Sequence, residues 1–525
     1  MSQAVNHLAR TVPPSCVKAA FKIYDSKVLD VIRTCLEAQP EEISSVTRRE
    51  VSLPTTSGGL GFPQLSETCQ LAYFASVYAV IQTWRQFLKP NNPLLTSWCQ
   101  DSNDFVSPLP QQLSNFNLAQ DLSSSLSNCR RMATQALAAK QATATAATAM
   151  AASKSARKAA KAATTTPIAS NSSITRHSFA LSILPSSLAG MLSFQKTRNL
   201  QAMLMKCKAA VDVEDFKTKS LTTNEHKAQF NSKRGPGACA FLRVHPSDRG
   251  LCFSNKEFML ALRLHLRLPV IPKFGVQPGM PCHCNRDLKD GRSRLTEDHL
   301  LNCNSSAVMT RRHDALKNVM ADLIKNAKLT PVFEELAGPG TGTINRFDIC
   351  VERYNADNQD LKADITVVNP CTRSRASASA TQQGSTAMHQ RSKKLSKYSK
   401  YLTHSDDFYA LVFETYGYMD TPVLGLISAL AARVGNVAPE SATWAAPNFK
   451  AYAIQRLSCC LWRENARTVE TVITNSADAF QFERYNNNSY EDPVFPQFQM
   501  TSADFPPLIA ATSAAVTTLA TGAAM

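Results

Sequence analysis

Apolar residues recur at three- and four-residue spacings in two N-terminal stretches, FKIYDSKVLDVIRTCLEA and ETCQLAYFASVYAVIQTWRQFL, and this spacing predicts two helices. Between them lies VSLPTTSGGLGFPQL, where Pro54, Gly58, Gly59 and Gly61 supply turn geometry that other residues resist. Further on, KEFMLALRLHLRLPV predicts a helix with apolar and basic positions interleaved, followed by Pro272 and Pro281. After Cys303 the pattern changes again. AVMTRRHDALKNVMADLIKNA reads as a helix, RFDICVE, KADITVVN and FYALVFET as strands, and VLGLISALAARVG as a helix. Helix, three strands and helix make an α/β unit. AYAIQRLSCCLWRENARTV adds one more helix, and the remainder to Met525 reads as irregular.

These patterns divide the chain. Residues 1–125 form a helical region, 126–174 an Ala/Thr/Lys-rich linker, and 175–277 a second helical unit. Residues 278–305 hold a cysteine and histidine cluster, 306–435 the α/β unit, and 436–525 a C-terminal helix and tail. In the linker, alanine favours helix while threonine opposes it. A solvated linker is the expectation there, with a basic helix, or an arm for nucleic acid built on Lys154, Arg157, Lys158 and Lys161, as the alternative.

Composition narrows the class. A chain of 525 residues has room for several domains, and 44% hydrophobic with 19% charged residues excludes a wholly disordered protein. Lys and Arg outnumber Asp and Glu 57 to 41, a net charge of +16 that favours a polyanionic partner. The N-terminus MSQAVNHLARTVPPSCVKAA lacks the apolar core of a secretion signal. The fifteen cysteines are scattered singly apart from Cys282/Cys284 and Cys459-Cys460, which predicts reduced thiols in an intracellular compartment. No run approaches the roughly 20 apolar residues that span a bilayer, so no membrane partner is expected, and the C-terminal LIAATSAAVTTLATGAAM is only weakly hydrophobic.

Two clusters carry candidate chemistry. In CHCNRDLKDGRSRLTEDHLLNC, Cys282, Cys284, His299 and Cys303 offer three thiolates and one imidazole, the donor set of a structural zinc ion with no open coordination position. Asp290-Gly291 supplies a turn within the fourteen-residue spacer; the alternative is four residues with unrelated roles. Downstream, Asp348 in RFDICV and Asp364 in KADITVV stand at the polar points of otherwise apolar strands, sixteen residues apart. A carboxylate buried in a strand needs a cation. Two of them predict a hard divalent ion such as Mg2+ and phosphodiester chemistry. The helical stretch RSKKLSKYSKYL brings Lys394, Lys397 and Tyr398 as helpers. Against this, Asp348 could close a turn, Asp364 could pair with Arg346 or Lys362, and the lysines could form a solvated face.

Taken in order, GPGACAFL, ALRLHLRLPV, CHC with HLLNC, RRHDAL, RFDI, ADITVVNP, KKLSKY and VFETYG resemble the C-terminal part of non-LTR retrotransposon reverse transcriptases, which carry a zinc knuckle followed by a restriction-like endonuclease. The resemblance covers roughly residues 230 to 465, and LPTTSGGLGFPQL is similar to the segment after the polymerase thumb. It implies an α/β nuclease of the PD-(D/E)xK type preceded by a mainly α-helical region. It also implies Asp348 and Asp364 as Mg2+ ligands, a displaced K-x-x-K-Y element at Lys394, Lys397 and Tyr398, and structural zinc at the knuckle. Arg312 and His313 match an Arg-His-Asn element whose third position is Asp314, Phe347 replaces a proline, and Asn369 replaces a frequent aspartate. No polymerase palm is present, since the Asp406-Asp407 pair in HSDDFYALVF lacks the required setting. The expected function is a nuclear, Mg2+-dependent endonuclease that nicks DNA, with element RNA as a further partner and no small-molecule substrate. The alternatives are a non-cutting nucleic-acid-binding remnant and a scaffold protein built on residues 1–125.

Overall fold

The computed structural model describes residues 3–84, 118–158, 199–246, 248–284, 294–303, 308–337, 345–355, 357–440 and 446–487. The chain divides into two units at Ser476 and Ala477, and the packing below belongs to the first, Met1–Ser476. It is a mixed α/β fold, mostly helical, with one four-stranded sheet.

The N-terminal region consists of α1 (Gln3–Thr11), α2 (Pro14–Cys35), α3 (Ser45–Ser52) and α4 (Leu65–Trp84). Asp25 of α2 accepts hydrogen bonds from the amides of Leu65 and Ser66 at 2.9 and 3.0 Å and so caps α4 from a distant part of the chain. The turn between α3 and α4 uses its glycines as the sequence predicts. Gly58 has φ +87°, and a Cβ on Gly59 would stand 2.1 Å from the Leu53 carbonyl oxygen.

Residues Leu118–Lys158 form one helix, α5. Its buried positions Leu122, Leu126, Cys129, Ala133 and Ala136 alternate four- and three-residue steps, a continuous apolar stripe. That stripe packs against Phe74 and Tyr78 of α4 and Leu204 and Cys207 of α6 (Leu200–Lys219). The segment read as linker from residue 126 thus begins inside a packed helix, because Leu126 and Cys129 extend the apolar stripe and Ala133 and Ala136 allow close approach, and the helix runs on to Lys158. The rest of that segment, including Lys161, and the start of the second helical unit up to residue 198 lie outside the described residues.

Next come α7 (Asn224–Lys233) and α8 (Asn255–Leu266). A capping box opens α8: the Ser254 hydroxyl accepts from the Glu257 amide, and the Glu257 carboxylate accepts from the Ser254 amide. Buried charges bind this region to the N-terminal one. Lys233 pairs with Glu50, the His265 ring lies 3.0 Å from the Gly58 carbonyl, and Arg263 donates to the Leu36 carbonyl at 2.8 Å.

After the short α9 (Glu297–Leu300), the α/β unit runs α10 (Val308–Asn326), β1 (Val332–Leu336), β2 (Arg346–Val351), β3 (Asp360–Val368), α11 (Ala376–Thr381), α12 (Ser385–Tyr398), β4 (Asp406–Glu414) and α13 (Thr421–Arg433). The strand order is β1-β2-β3-β4; the first two pairings are antiparallel and β3/β4 is parallel. The three predicted strands are present. β1 is additional: its largely exposed VFEEL lacks a buried alternation that would mark it. Ile349, Leu361, Ala363, Ile365, Leu411 and Phe413 enter one core with α10, α13 and α14 (Phe449–Asn487), the last helix among the described residues. Helix α14 extends well past the predicted AYAIQRLSCCLWRENARTV; residues from 488 on lie outside the described ones. Trp462 of α14 is fully buried and donates to the Ala238 carbonyl at 3.0 Å.

Gly59→Ala should lower stability by about 3 kcal/mol or more, since backbone rather than a movable side chain meets the new methyl. Thermal or urea unfolding measures it, and an unchanged midpoint would contradict the packing of this turn.

Candidate active site and metal centre

The four knuckle residues converge. Their ligand atoms all lie within 4.8 Å of one another, and among the described residues they are the one group of three or more His, Cys, Asp or Glu side chains placed to hold a metal ion. Cys282 Sγ is 3.6 Å from Cys303 Sγ, and Cys284 Sγ is 3.4 Å from His299 Nε2. A tetrahedron with Zn–S near 2.3 Å and Zn–N near 2.05 Å has edges of about 3.8 and 3.6 Å. The donor set and spacing therefore fit zinc.

Local structure explains how a long spacer closes. Residues 285–293, including the Asp290-Gly291 turn, lie outside the described ones. On either side of them the chain pairs with itself: Leu295 N donates to Met280 O at 2.7 Å, and Gly279 N to Leu295 O at 2.8 Å. Thr296 then caps α9 by accepting from the His299 amide at 3.2 Å, which sets the imidazole's position. From α14, the Ser476 hydroxyl reaches both Cys282 Sγ (3.6 Å) and His283 Nδ1 (3.0 Å). The Cys282 thiol is held below its ordinary pKa, chiefly by Cys303 beside it.

The second cluster lines an open cleft of about 500 Å3. Asp348 and Asp364 both line it, together with Lys394, Lys397 and Tyr398. Each predicted catalytic residue is thus brought to one place, by three different elements. Asp364 lies on the face of β3 opposite Leu361, Ala363 and Ile365, and α12 delivers the rest. Lys394 Nζ stands 2.7 Å from Asp364 Oδ2, and the Tyr398 hydroxyl lies 2.8 Å from both Asp364 Oδ1 and the Arg346 carbonyl. Burial, together with the Asp364 charge, pushes the Tyr398 phenol far up and keeps it protonated. Lys397 Nζ sits 4.7 Å from the Tyr398 ring centre and donates to its hydroxyl at 3.3 Å.

Two of the alternative pairings are not the ones observed. Lys362 pairs with Glu335 at 2.5 Å rather than with Asp364, and Asp348 sits in mid-strand rather than in a turn. Tyr398 and Lys394 are the α12 residues that contact Asp364; the Tyr401 hydroxyl, by contrast, accepts from Asn345 at 3.2 Å. Glu414, buried with its carboxyl pushed up by burial to about 7, does not line the cleft.

Sequence reasoning named His313 only as part of an element; its contact makes it a member of the site. His313 Nε2 donates to Asp348 Oδ2 at 3.0 Å and Nδ1 to Asp314 Oδ1 at 3.1 Å. Two carboxylates on two ring nitrogens require both to carry hydrogen, which is the charged imidazole. The hydrogen bond to Asp348 is the main reason that its pKa rises to about 8. Asp348 Oδ2 also accepts from the Ile365 amide at 2.5 Å, so β3 holds it in place. The neighbouring Arg312 also lines the cleft, but it is fully buried and fastened to the fold: it donates to Asn465 Oδ1 at 2.9 Å and reaches the Leu301 carbonyl at 3.5 Å.

Two carboxylates in an open cleft are oxygen donors suited to a hard cation such as Mg2+, with room for its water. No known protein family matches the sequence, and no curated protein is similar to it at a significant level. No helix among the described residues is long and apolar enough to cross a membrane.

Two outcomes follow. One zinc per chain should be measured by elemental analysis, and Cys303→Ser should lose it and melt the knuckle, a loss on the order of 10 kcal/mol of binding free energy. Zinc-loaded protein kept free of Mg2+ should show His313 titrating near 8 by NMR, with Asp348→Asn bringing it down. The stabilisation from this pair is complete below the imidazole's ordinary 6.5 and is lost as pH rises through about 8.

Proposed function

We propose that this chain is a divalent-metal-dependent DNA endonuclease of the restriction-like PD-(D/E)xK type, derived from the C-terminal part of a non-LTR retrotransposon reverse transcriptase. The observation that carries the reading is the shared cleft: Asp348, Asp364 and the Lys394 ammonium line one opening, with the ammonium 2.7 Å from a carboxylate oxygen. Asp348 and Asp364 hold the cation, which when bound supplies a polarised water and neutralises the scissile phosphate. Lys394 places positive charge beside that phosphate and orients the attacking water. Tyr398 keeps Asp364 fixed. Lys397 and the α12 surface meet the neighbouring phosphates, in keeping with the net charge of +16. The knuckle, loaded with zinc, has a structural role, because its four ligands leave no open position.

A specific observation favours a second reading, a DNA-binding remnant that does not cut. Both carboxylates already have partners within the chain, His313 and the Ile365 amide for Asp348, Lys394 and Tyr398 for Asp364. A cation must displace or share them.

Plasmid nicking separates the two. With Mg2+ or Mn2+, the zinc-loaded chain should convert supercoiled plasmid to open circles, with Asp364→Ala and Asp348→Ala slower by about 1000-fold and Lys394→Met by about 100-fold. Folded wild-type protein that binds plasmid as well as Asp364→Ala does, yet leaves it supercoiled, would establish the remnant.

A further inference from the structure

Ser476 of α14 lies 194 residues along the chain from Cys282, yet its hydroxyl stands 3.6 Å from the Cys282 sulfur, and both residues are buried. The same hydroxyl accepts from the His283 amide at 3.2 Å, and it lies 3.0 Å from His283 Nδ1 and 2.7 Å from the Val472 carbonyl one turn back on α14. His283 sits between two of the converging cysteines but is not one of the four converging donors; its ring meets α14.

A buried serine within a helix ordinarily gives its hydrogen to the carbonyl four residues back, as the Val472 distance allows. The Cys282 sulfur is a second acceptor within reach of that one hydrogen. Which of the two it serves depends on the charge that the sulfur carries. A neutral thiol is a weak acceptor, and a thiolate is a strong one.

Zinc ligation fixes that charge, because a cysteine must be deprotonated to bind the ion. Three thiolates and one neutral imidazole leave a zinc site with a surplus of negative charge. Cys282 and Cys303 have almost no contact with water, and a charge buried there needs hydrogen bonds. The Cys284 amide and the Ser476 hydroxyl both act on Cys282 in the direction that favours its thiolate. We propose that Ser476 is a positioning residue of the knuckle, whose hydroxyl donates to the zinc-bound Cys282 thiolate rather than to Val472. The proposal rests on the zinc reading of the cluster. It makes zinc affinity and the seating of α14 reciprocal: what the hydrogen bond adds to one it adds to the other. Through Asn465, α14 also fastens Arg312 in the wall of the cleft, so that wall is braced from the knuckle.

The test compares the full wild-type chain with Ser476→Ala and Ser476→Thr, each loaded with zinc and, separately, with cobalt(II). Alanine is smaller than serine and favours helix more, so Ser476→Ala should keep the fold. In competition with a chelator it should bind zinc about 30-fold more weakly, within the range of losses from removing a partner of a metal ligand. Its sulfur-to-cobalt charge-transfer band should move to longer wavelength, because a thiolate relieved of a hydrogen bond gives up an electron more readily. Ser476→Thr retains a hydroxyl and should retain the wild-type affinity and band. A wild-type chain that takes up neither metal overturns the zinc reading and this proposal with it. A loaded wild type whose affinity or band is unchanged in Ser476→Ala overturns this proposal alone, and so does an equal loss in Ser476→Thr.

Discussion

The parallel pairing of β3 with β4 is the constraint on which the cleft depends. Two parallel neighbours cannot be joined by a tight turn, so the chain must leave the sheet and return over it. Here the return carries α11 and α12, and nine residue pairs from Asp360↔Asp406 to Val368↔Glu414 fix its landing point. Asp364 lies opposite Ala410, a residue with almost no side chain. Ala410 and Val412 pack with Ala387 of α12, and these small contacts seat the helix against the strands. Lys394 and Tyr398 reach Asp364 only because of that seating.

Charge burial does comparable work in the helical half. Taking Lys233, Glu50 and Arg263 out of water costs several kcal/mol per ion unless each finds a partner. Lys233 meets Glu50 of α3, Arg263 the Leu36 carbonyl at the end of α2, and the His265 ring the Gly58 carbonyl, which makes the association of the two helical regions specific in register. A greasy contact could slide; this one cannot without stranding a charge.

Much of this was legible along the chain. Helices α10, α12 and α13, three of the strands, the convergence of Cys282, Cys284, His299 and Cys303, and the shared cleft of Asp348 and Asp364 follow from periodicity, donor type and motif order, whereas the short α11 was not read. What was not legible depends on distant packing. β1 is an exposed edge with no alternation to betray it. The alanine-rich helix looks solvated because its buried stripe, begun by Leu122, Leu126 and Cys129, continues in alanines alone at Ala133 and Ala136, and only its neighbours reveal the fit. His313 has no sequence-local reason to meet Asp348; the Arg-His pair on α10 was the available signal, and its two members proved to have separate jobs, one fastening the fold and one touching the carboxylate.

Helix α14 gathers threads from several parts of the molecule. Trp462 holds the Ala238 carbonyl, Asn465 bridges Arg312 and the Thr415 carbonyl, and Ser476 touches the knuckle. A gene encoding this chain therefore has its least forgiving stretch far downstream of the acidic pair. A frameshift between the codons for Phe449 and Ser476 would spare every cleft residue in the open reading frame and still unfasten the knuckle, the α10 arginine and the sheet end together, so intact cleft codons alone are a poor guide to whether a diverged copy of the gene still encodes a working protein.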